Sequence, residues 1–525
     1  MKKRYFHIFL SLLLPAGIFA QNMNDVFQYN QTSLNGTARY MGTAGVISQI
    51  GADLSAVSDN PAGAAAFVSN RFSWTPTAFN NSNTGIYNGD VQYSEANSIY
   101  KAPFYTNQWG VVFPYVSSTK KWNKMAFGIT GRADYHYLNE IKTFGQASTM
   151  QSVADYFLFQ AEGVPTGDLV LGDDETVTGV YSWLGENYGS YAQKAFLAYQ
   201  GYIIDPLNND ATNTQYVSNA SYSVPLYHGL KENLDGKKFS HDIFFAAEYD
   251  KKLSIGASLT LRKMNYNQTR VFTEEGYDAS STLQYVKYTT TLQNDASGFQ
   301  MKFGMMYKLN DRLRISASYH SPTWWENEET TGEGLYTEAL DRDDLDDDGD
   351  TDELNIFELY PDTKNVYDKY TYMEPGLWQA GLSYVFPKAG FIAVDYAYRD
   401  WSMTHFSDPN GYEDVQAYFD LLNTQIKETY TAQHRLRIGG ELKLEEWAVR
   451  LGIFQYTSPY KNYPDYSTRG YSFGLGYDFG NVELDFGWLH SNSRYAGQLF
   501  PVGLTENYEV TSVRNKYAFT VRYNF

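Results

Sequence analysis

In the last nine residues of the chain, Tyr517, Phe519, Val521, Tyr523 and Phe525 alternate with Ala518, Thr520, Arg522 and Asn524. A period of two puts the aromatic set on one face of an extended strand and the small, polar or charged set on the other. The same pattern runs through Tyr471, Phe473, Leu475 and Tyr477, and through Val482, Leu484, Phe486 and Trp488. It recurs in Leu436, Ile438, Leu442 and Leu444 against Arg435, Arg437, Glu441 and Lys443. Fourteen such segments follow one another between residues 71 and 525, the third over 122–136. They are joined alternately by long polar loops and by tight turns such as Asp250-Lys251-Lys252, Asn310-Asp311, Pro387-Lys388, Glu445-Glu446 and Phe479-Gly480.

Alternation alone also fits a soluble β-sandwich, whose charged face would meet water. An even strand count and loops that are short at one rim and long at the other instead predict an all-β chain: a 14-stranded antiparallel transmembrane barrel. Composition agrees, with 47 Tyr, 32 Phe and 10 Trp but a mean hydropathy of -0.46. Aromatics without long apolar runs are spread singly along strands.

The start of the chain differs. Lys2, Lys3 and Arg4 precede an apolar run to Phe19 and a small residue, Ala20. This predicts a secretory signal peptide over 1–20, because the run is shorter than the ~20 residues a spanning helix needs. Its removal takes the net charge from -19 to -22, which excludes nucleic acid as a partner. With no cysteine, disulfides, thiol catalysis and Cys-rich zinc sites are excluded too. Nothing favours an enzyme: His320-Ser321 and His490-Ser491 place base and nucleophile on opposite faces of a strand.

Residues 21–70, rich in Ala and Gly, fit neither a strand nor a charged tail. The run 36–67, GTARYMGTAGVISQIGADLSAVSDNPAGAAAF, resembles the N-terminal signature of the FadL-type outer-membrane transporters of long-chain fatty acids and other hydrophobic compounds. The matching positions are Gly36 with Arg39, the Gly42–Gly45 cluster, Asp53, and Asn60-Pro61-Ala62-Gly63; SASYHSP, 316–322, resembles a second family stretch with His320 in place of Arg. The resemblance implies that 21–70 is a plug (hatch) inside the barrel formed by 71–525. It also implies passive uptake of a hydrophobic small molecule, captured among outer loops and released sideways at a kinked third strand. Independently, Pro61 lacks an N–H and suits a helix boundary.

The long loops are expected at about 137–239 and 328–374. In the first, Leu184, Tyr188, Tyr191 and Tyr199 recur at helical spacing, a stripe that either packs within the cap or contacts ligand. Gly128 and Gly131 mark the expected wall distortion. Arg132, Arg399, Arg435 and Arg437 fall on lumen-facing positions, to pair with Asp395, Glu441, Glu483 and Asp485 or to hold a carboxylate. Asp344, Asp346, Asp348, Asp350 and Asp352, with Gly349 at the turn, match most of a calcium loop, but Asn355 stands where a bidentate Glu belongs. No cofactor is expected beyond that structural calcium.

The partners expected are the outer-membrane bilayer, the ligand, and the barrel-assembly machinery through the strand ending in Phe525, with a monomer as the assembly. A general porin or surface-binding protein is the alternative.

Overall fold

The computed structural model describes residues 23–87, 97–118, 121–340 and 354–525; the expected signal peptide and the acidic segment 344–352 lie outside them. Fourteen wall strands meander in sequence order. They are β1 (Arg71–Tyr87), β2 (Asn97–Val116), β3 (Trp122–His136, continued by Asn139–Gln146), β4 (Tyr227–Tyr249), β5 (Leu253–Glu275), β6 (Leu283–Lys308) and β7 (Leu313–His320, continued by Thr323–Leu340). After them come β8 (Tyr370–Glu374 and Leu377–Phe386), β9 (Gly390–Asp400), β10 (Ala432–Leu444), β11 (Trp447–Tyr456), β12 (Thr468–Asp478), β13 (Val482–Gln498) and β14 (Asn507–Asn524). Every neighbour pair is antiparallel, and β14 pairs back onto β1 in a register that includes Trp74 opposite Val521. Closure leaves no free edge there, the condition for placing strands in hydrocarbon.

The alternation resolves as the sequence suggests. Ile243, Phe245, Ile255, Leu259, Phe303, Leu451, Ile453 and Phe519 are exposed around the outside, a continuous apolar belt that only lipid would cover. Thr75, Gln108, Asp242, Arg437 and Lys516 are buried inside. The tight turns share a rim with both ends of the barrel, where the Phe525 amide donates to the Asn70 carbonyl (3.1 Å). In one of them Asp250 and Lys251 both adopt positive φ (50° and 57°), the twist that suits a two-residue hairpin turn.

Several strands run further outward than their apolar periodicity. The β4 strand begins at Tyr227 and β7 ends at Leu340, so the loops are shorter than the expected 137–239 and 328–374. Above the belt the outward positions are Lys231, Asn233 and Asp235 on β4 and Glu326 and Glu328 on β7, all exposed. Polar residues outside hide the period of two.

Inside the barrel lie three short helices, α1 (Met23–Asn30), α2 (Ala38–Gly42) and α3 (Leu54–Asp59), with 3-10 turns at Val46–Gln49 and Pro61–Ala66. The Asp53 carboxylate caps α3, accepting from the Ser55 amide (2.9 Å), and Pro61 opens the next turn one residue after Asn60 ends the helix. The Asn60-Pro61-Ala62 corner presses against two glycines that face each other across β5 and β6, Gly256 and Gly304. A Cβ on Gly304 would lie 2.0 Å from Asn60 Oδ1, and one on Gly256 2.5 Å from the Pro61 carbonyl carbon. Gly42 of α2 meets Gly474 of β12 in the same way, a Cβ there falling 2.8 Å from the opposing Cα. The plug approaches the wall backbone this closely at all three seats, which is why the wall residue at each is glycine.

Replacing Gly304 with Val is therefore expected to unseat the plug while the barrel still folds. Heat-modifiable migration on gels should persist and steady conductance in planar bilayers should rise; a blocked, unchanged conductance would show that the seat does not hold the plug.

Candidate functional site: plug, lumen and split third strand

Two plug charges complete ion-pair networks on the wall. Arg39 forms a two-pronged contact with Glu441 (Nε 2.7 Å, Nη2 2.8 Å). Glu441 also takes Arg450 (2.7 Å), which reaches Asp485 (2.6 Å), then Arg522 and Glu483. Asp59, at the end of α3, is held by Arg132 (2.9 Å) and Arg437 (3.2 Å) and accepts from the Tyr40 hydroxyl (2.6 Å). Burial raises the Asp59 carboxyl, but the two guanidinium groups outweigh it and hold it below the usual carboxylate range. The His320 ring Nε2 donates to the Asp59 carbonyl (2.7 Å), so SASYHSP touches the plug.

The other quoted plug residues are structural. Gly36 has φ +148° and its carbonyl accepts from Asn107 (3.0 Å); Gly45 has φ +82°, and Gly63 packs against Gly51. Of the four lumen arginines, Arg132 and Arg437 bind Asp59, Arg437 also binds Asp395 (2.6 Å), and Arg399 binds Glu374 (2.7 Å). Among the described residues Arg435 has no carboxylate partner. Its guanidinium bonds to Gln433 (2.9 Å) and lies over the Tyr456 ring at 5.1 Å.

The wall is distorted at β3 within a few residues of Gly131, although the two glycines are themselves paired. Gly128 and Gly131 are paired on both sides, Gly131 with Trp109 and with His241. The register breaks three residues later, between Ala133 and Tyr135. Pairing between β2 and β3 stops at Gln108 and Arg132, and beyond it β3 pairs with β4 alone. Its continuation folds across the inside of β1, where Asn81 and Asn83 side chains donate to the Leu138 and Glu140 carbonyls (3.0 and 2.6 Å). Gly85 lets the two backbones meet, since a Cβ there would lie 2.1 Å from the Lys142 carbonyl oxygen. Gly131 instead makes room for a tryptophan, a Cβ falling 2.4 Å from Trp109 Nε1.

The plug is tied to this split. The segment 31–35 after α1 runs past the bulge, and the Ser33 amide donates to the carbonyl of Asp134, the residue at the register break (3.0 Å). From β14 Lys516 donates to Ser33 Oγ (2.8 Å) and Asn35 Oδ1 (2.7 Å). Two lumen cavities, of about 80 and 70 Å³, both include Thr32 and Ser33 in their linings, so this strap divides them. Sequence reading missed Ser33, Asp134 and Lys516. Parity puts Asp134 and Lys516 inside, but no local pattern brings them together.

Over the outer mouth, α4 (Val153–Ala161), α5 (Thr166–Leu169), α6 (Val177–Asn187) and α7 (Ser190–Gln200) form a cap, and α8 (Glu413–Thr429) lies on the far side. The stripe expected as one helix is broken at Gly189, whose φ is 107°. Leu184 is buried in the cap core, Tyr188 donates to Asp168 (2.5 Å), and Tyr191 and Tyr199 are half-buried against the same core. Below the cap, Phe27 of α1 packs among Trp401, Tyr460 and Tyr495. Among the described residues no group of three metal-ligating side chains occurs.

A closed antiparallel 14-stranded barrel with an apolar belt and a helical N-terminal segment in its lumen is an outer-membrane β-barrel of the plugged kind. The chain is similar to the crystal structure of a Pseudomonas aeruginosa FadL homologue, with a TM-score of 0.52 and 11% identity over 94% of this chain and 99% of that one. Fainter likenesses over the same spans are to the P. putida toluene transporter TodX (TM-score 0.49, 14% identity) and the monoaromatic hydrocarbon channel CymD (0.49, 12%). No protein-family model and no curated protein matches the sequence. The chain has the FadL-type fold.

Because the Asp59 carboxyl is held below its ordinary value of about 3.9, the docking it supports is fully present above that pH and is lost only as pH falls through the lower bound-state value. The plug of the wild-type protein is expected to stay protected from protease at pH 4. Asp59→Asn, which leaves Arg132 and Arg437 facing a neutral group, should weaken docking by about 3 kcal/mol or more and expose the plug already at pH 7. Equal protection of both proteins at pH 7 would refute the role of this anchor.

Proposed function

We propose that the protein carries hydrophobic compounds across the outer membrane by displacement of its plug, with release sideways where β3 leaves β2. The observation that carries this reading is the bond from Ser33 of the strap to Asp134 at the register break. One contact joins the part that blocks the lumen to the part of the wall that is unpaired. Unpaired strand edges are costly in hydrocarbon, so a split at this position supports a functional role. The cavities beside the strap are far smaller than the ~300 Å³ or more of a typical ligand pocket, so passage requires movement. A static open porin is disfavoured by the same filling of the lumen.

Within this reading the substrates are amphiphiles such as long-chain fatty acids. Arg435 faces the larger cavity without a carboxylate partner among the described residues, available to an acidic head group while a chain follows the aromatic path under the cap.

The chain lacks cysteine, so a pair at Ala38 and Thr520, whose amide and hydroxyl meet at 2.7 Å, would form the sole disulfide between plug and wall. Oxidised, that variant is expected to lose uptake of fatty acid and of toluene alike, and reduction should restore it. Undiminished uptake by the oxidised protein would contradict a moving plug.

A further inference from the structure

The outer face of β10 to β13 carries a groove that the transport route does not use. Leu436, Ile438 and Ile453 form its apolar part, and Arg469, His490 and Asn492 close its outer end. Gly470 has no side chain, and the buried ring of Phe454, which packs in the lumen core, lies 2.5 Å from where its Cβ would be. His490 is fixed in place, bonded to Asn515 (2.9 Å) and stacked on Tyr471 at 4.8 Å.

Arg469 is exposed and has neither an ion-pair nor a hydrogen-bond partner for its guanidinium among the described residues, and no carboxylate lines the groove. Across the strands its neighbours are Gln455 and Asn492, both neutral. In a chain with a net charge of -19, an unpaired guanidinium beside an apolar trough is a local reversal of sign.

Height matters as well. Arg469 lies nine residues outward of Asp478, the last residue of β12 at the short-turn rim. At ~3.3 Å per residue and a tilt of ~40°, that is about 23 Å, the top of an apolar band ~25 Å tall. The trough of Leu436, Ile438 and Ile453 therefore faces acyl chains, and Arg469 stands at the level of outer-leaflet head groups. Guanidinium matches phosphate oxygens in a planar, two-pronged geometry that ammonium lacks.

We propose that this groove is a binding site for a phosphate-bearing lipid of the outer leaflet, one acyl chain lying in the trough and the phosphate on Arg469, with His490 and Asn492 hydrogen-bonding the head group. The site is separate from the lumen and independent of what the barrel transports.

Native mass spectrometry of the protein in neutral-detergent micelles tests it, with diphosphorylated lipid A, enzymatically dephosphorylated lipid A and phosphatidylcholine as probes. One diphosphorylated molecule per protein should be retained about tenfold more tightly than the dephosphorylated form, the scale of one charge-assisted hydrogen bond. Arg469→Glu should abolish that preference and Arg469→Lys, which keeps the charge but not the two-pronged geometry, should keep only part of it, both with wild-type heat-modifiable migration and wild-type uptake. Equal retention of phosphorylated and dephosphorylated lipid by the wild type, or an undiminished preference in Arg469→Glu, would overturn the proposal and leave the transport reading standing.

Discussion

Charge buried inside the barrel has to be matched, and the wall of this protein cannot match its own without the plug. Arg132 and Arg437 converge on Asp59, and Glu441 is shared between Arg39 and Arg450. Removing one partner from a buried pair is far more costly than the pair's net worth. Withdrawing the plug would leave Arg132 without its carboxylate, Arg437 with Asp395 alone and Glu441 with one cation. The plug is thus both obstacle and counter-ion. A route that opens must supply water or ligand polar groups to those positions as the plug leaves.

The same dependence shapes the backbone. Wall glycines at 256 and 474 take the plug's main chain directly and Gly304 takes the Asn60 side chain, while the strap at 31–35 is gripped by the Asp134 carbonyl and Lys516. The rigid seats lie near Asn60 and Gly42, and the strap lies beside the split of β3. Movement of the strap would join the two small lumen cavities before the ion pairs of Arg39 or Asp59 break, but it strips the buried Lys516 of its partners Ser33, Leu34 and Asn35. Displacement of the plug thus begins at one buried cation and ends at the ion pairs.

Most of the barrel was legible in the sequence because each wall strand buries one face against the plug and offers the other to lipid, so the period of two survives wherever both neighbours are fixed. It faded above the membrane, where Lys231, Asn233 and Asp235 face outward and polar residues stand on the outer face; there the strands outran their expected ends. Among the plug residues, Asp53, Asn60 and Pro61 announce their helix boundaries by local chemistry. The kink was legible only to within a few residues of Gly131. Gly128 and Gly131 serve packing, against Phe244 and Trp109, and the register break falls on Asp134, a residue with no intrinsic signature of a bulge. The lumen arginines could be assigned to the inside by parity, but which carboxylate each meets depends on barrel diameter and on the plug, and Asp59 carries no sign in the sequence that it binds two of them.

The most direct test of the account is a distance measured in the working protein. Spin labels on cysteines at Thr32, in the strap, and at Tyr523, exposed near the short-turn rim, give one distance distribution in a chain without other cysteines. Under conditions in which a hydrophobic compound is taken up, a second, displaced population should appear and vanish when the compound is removed. An unchanged single distribution while uptake proceeds would contradict passage by displacement of the plug.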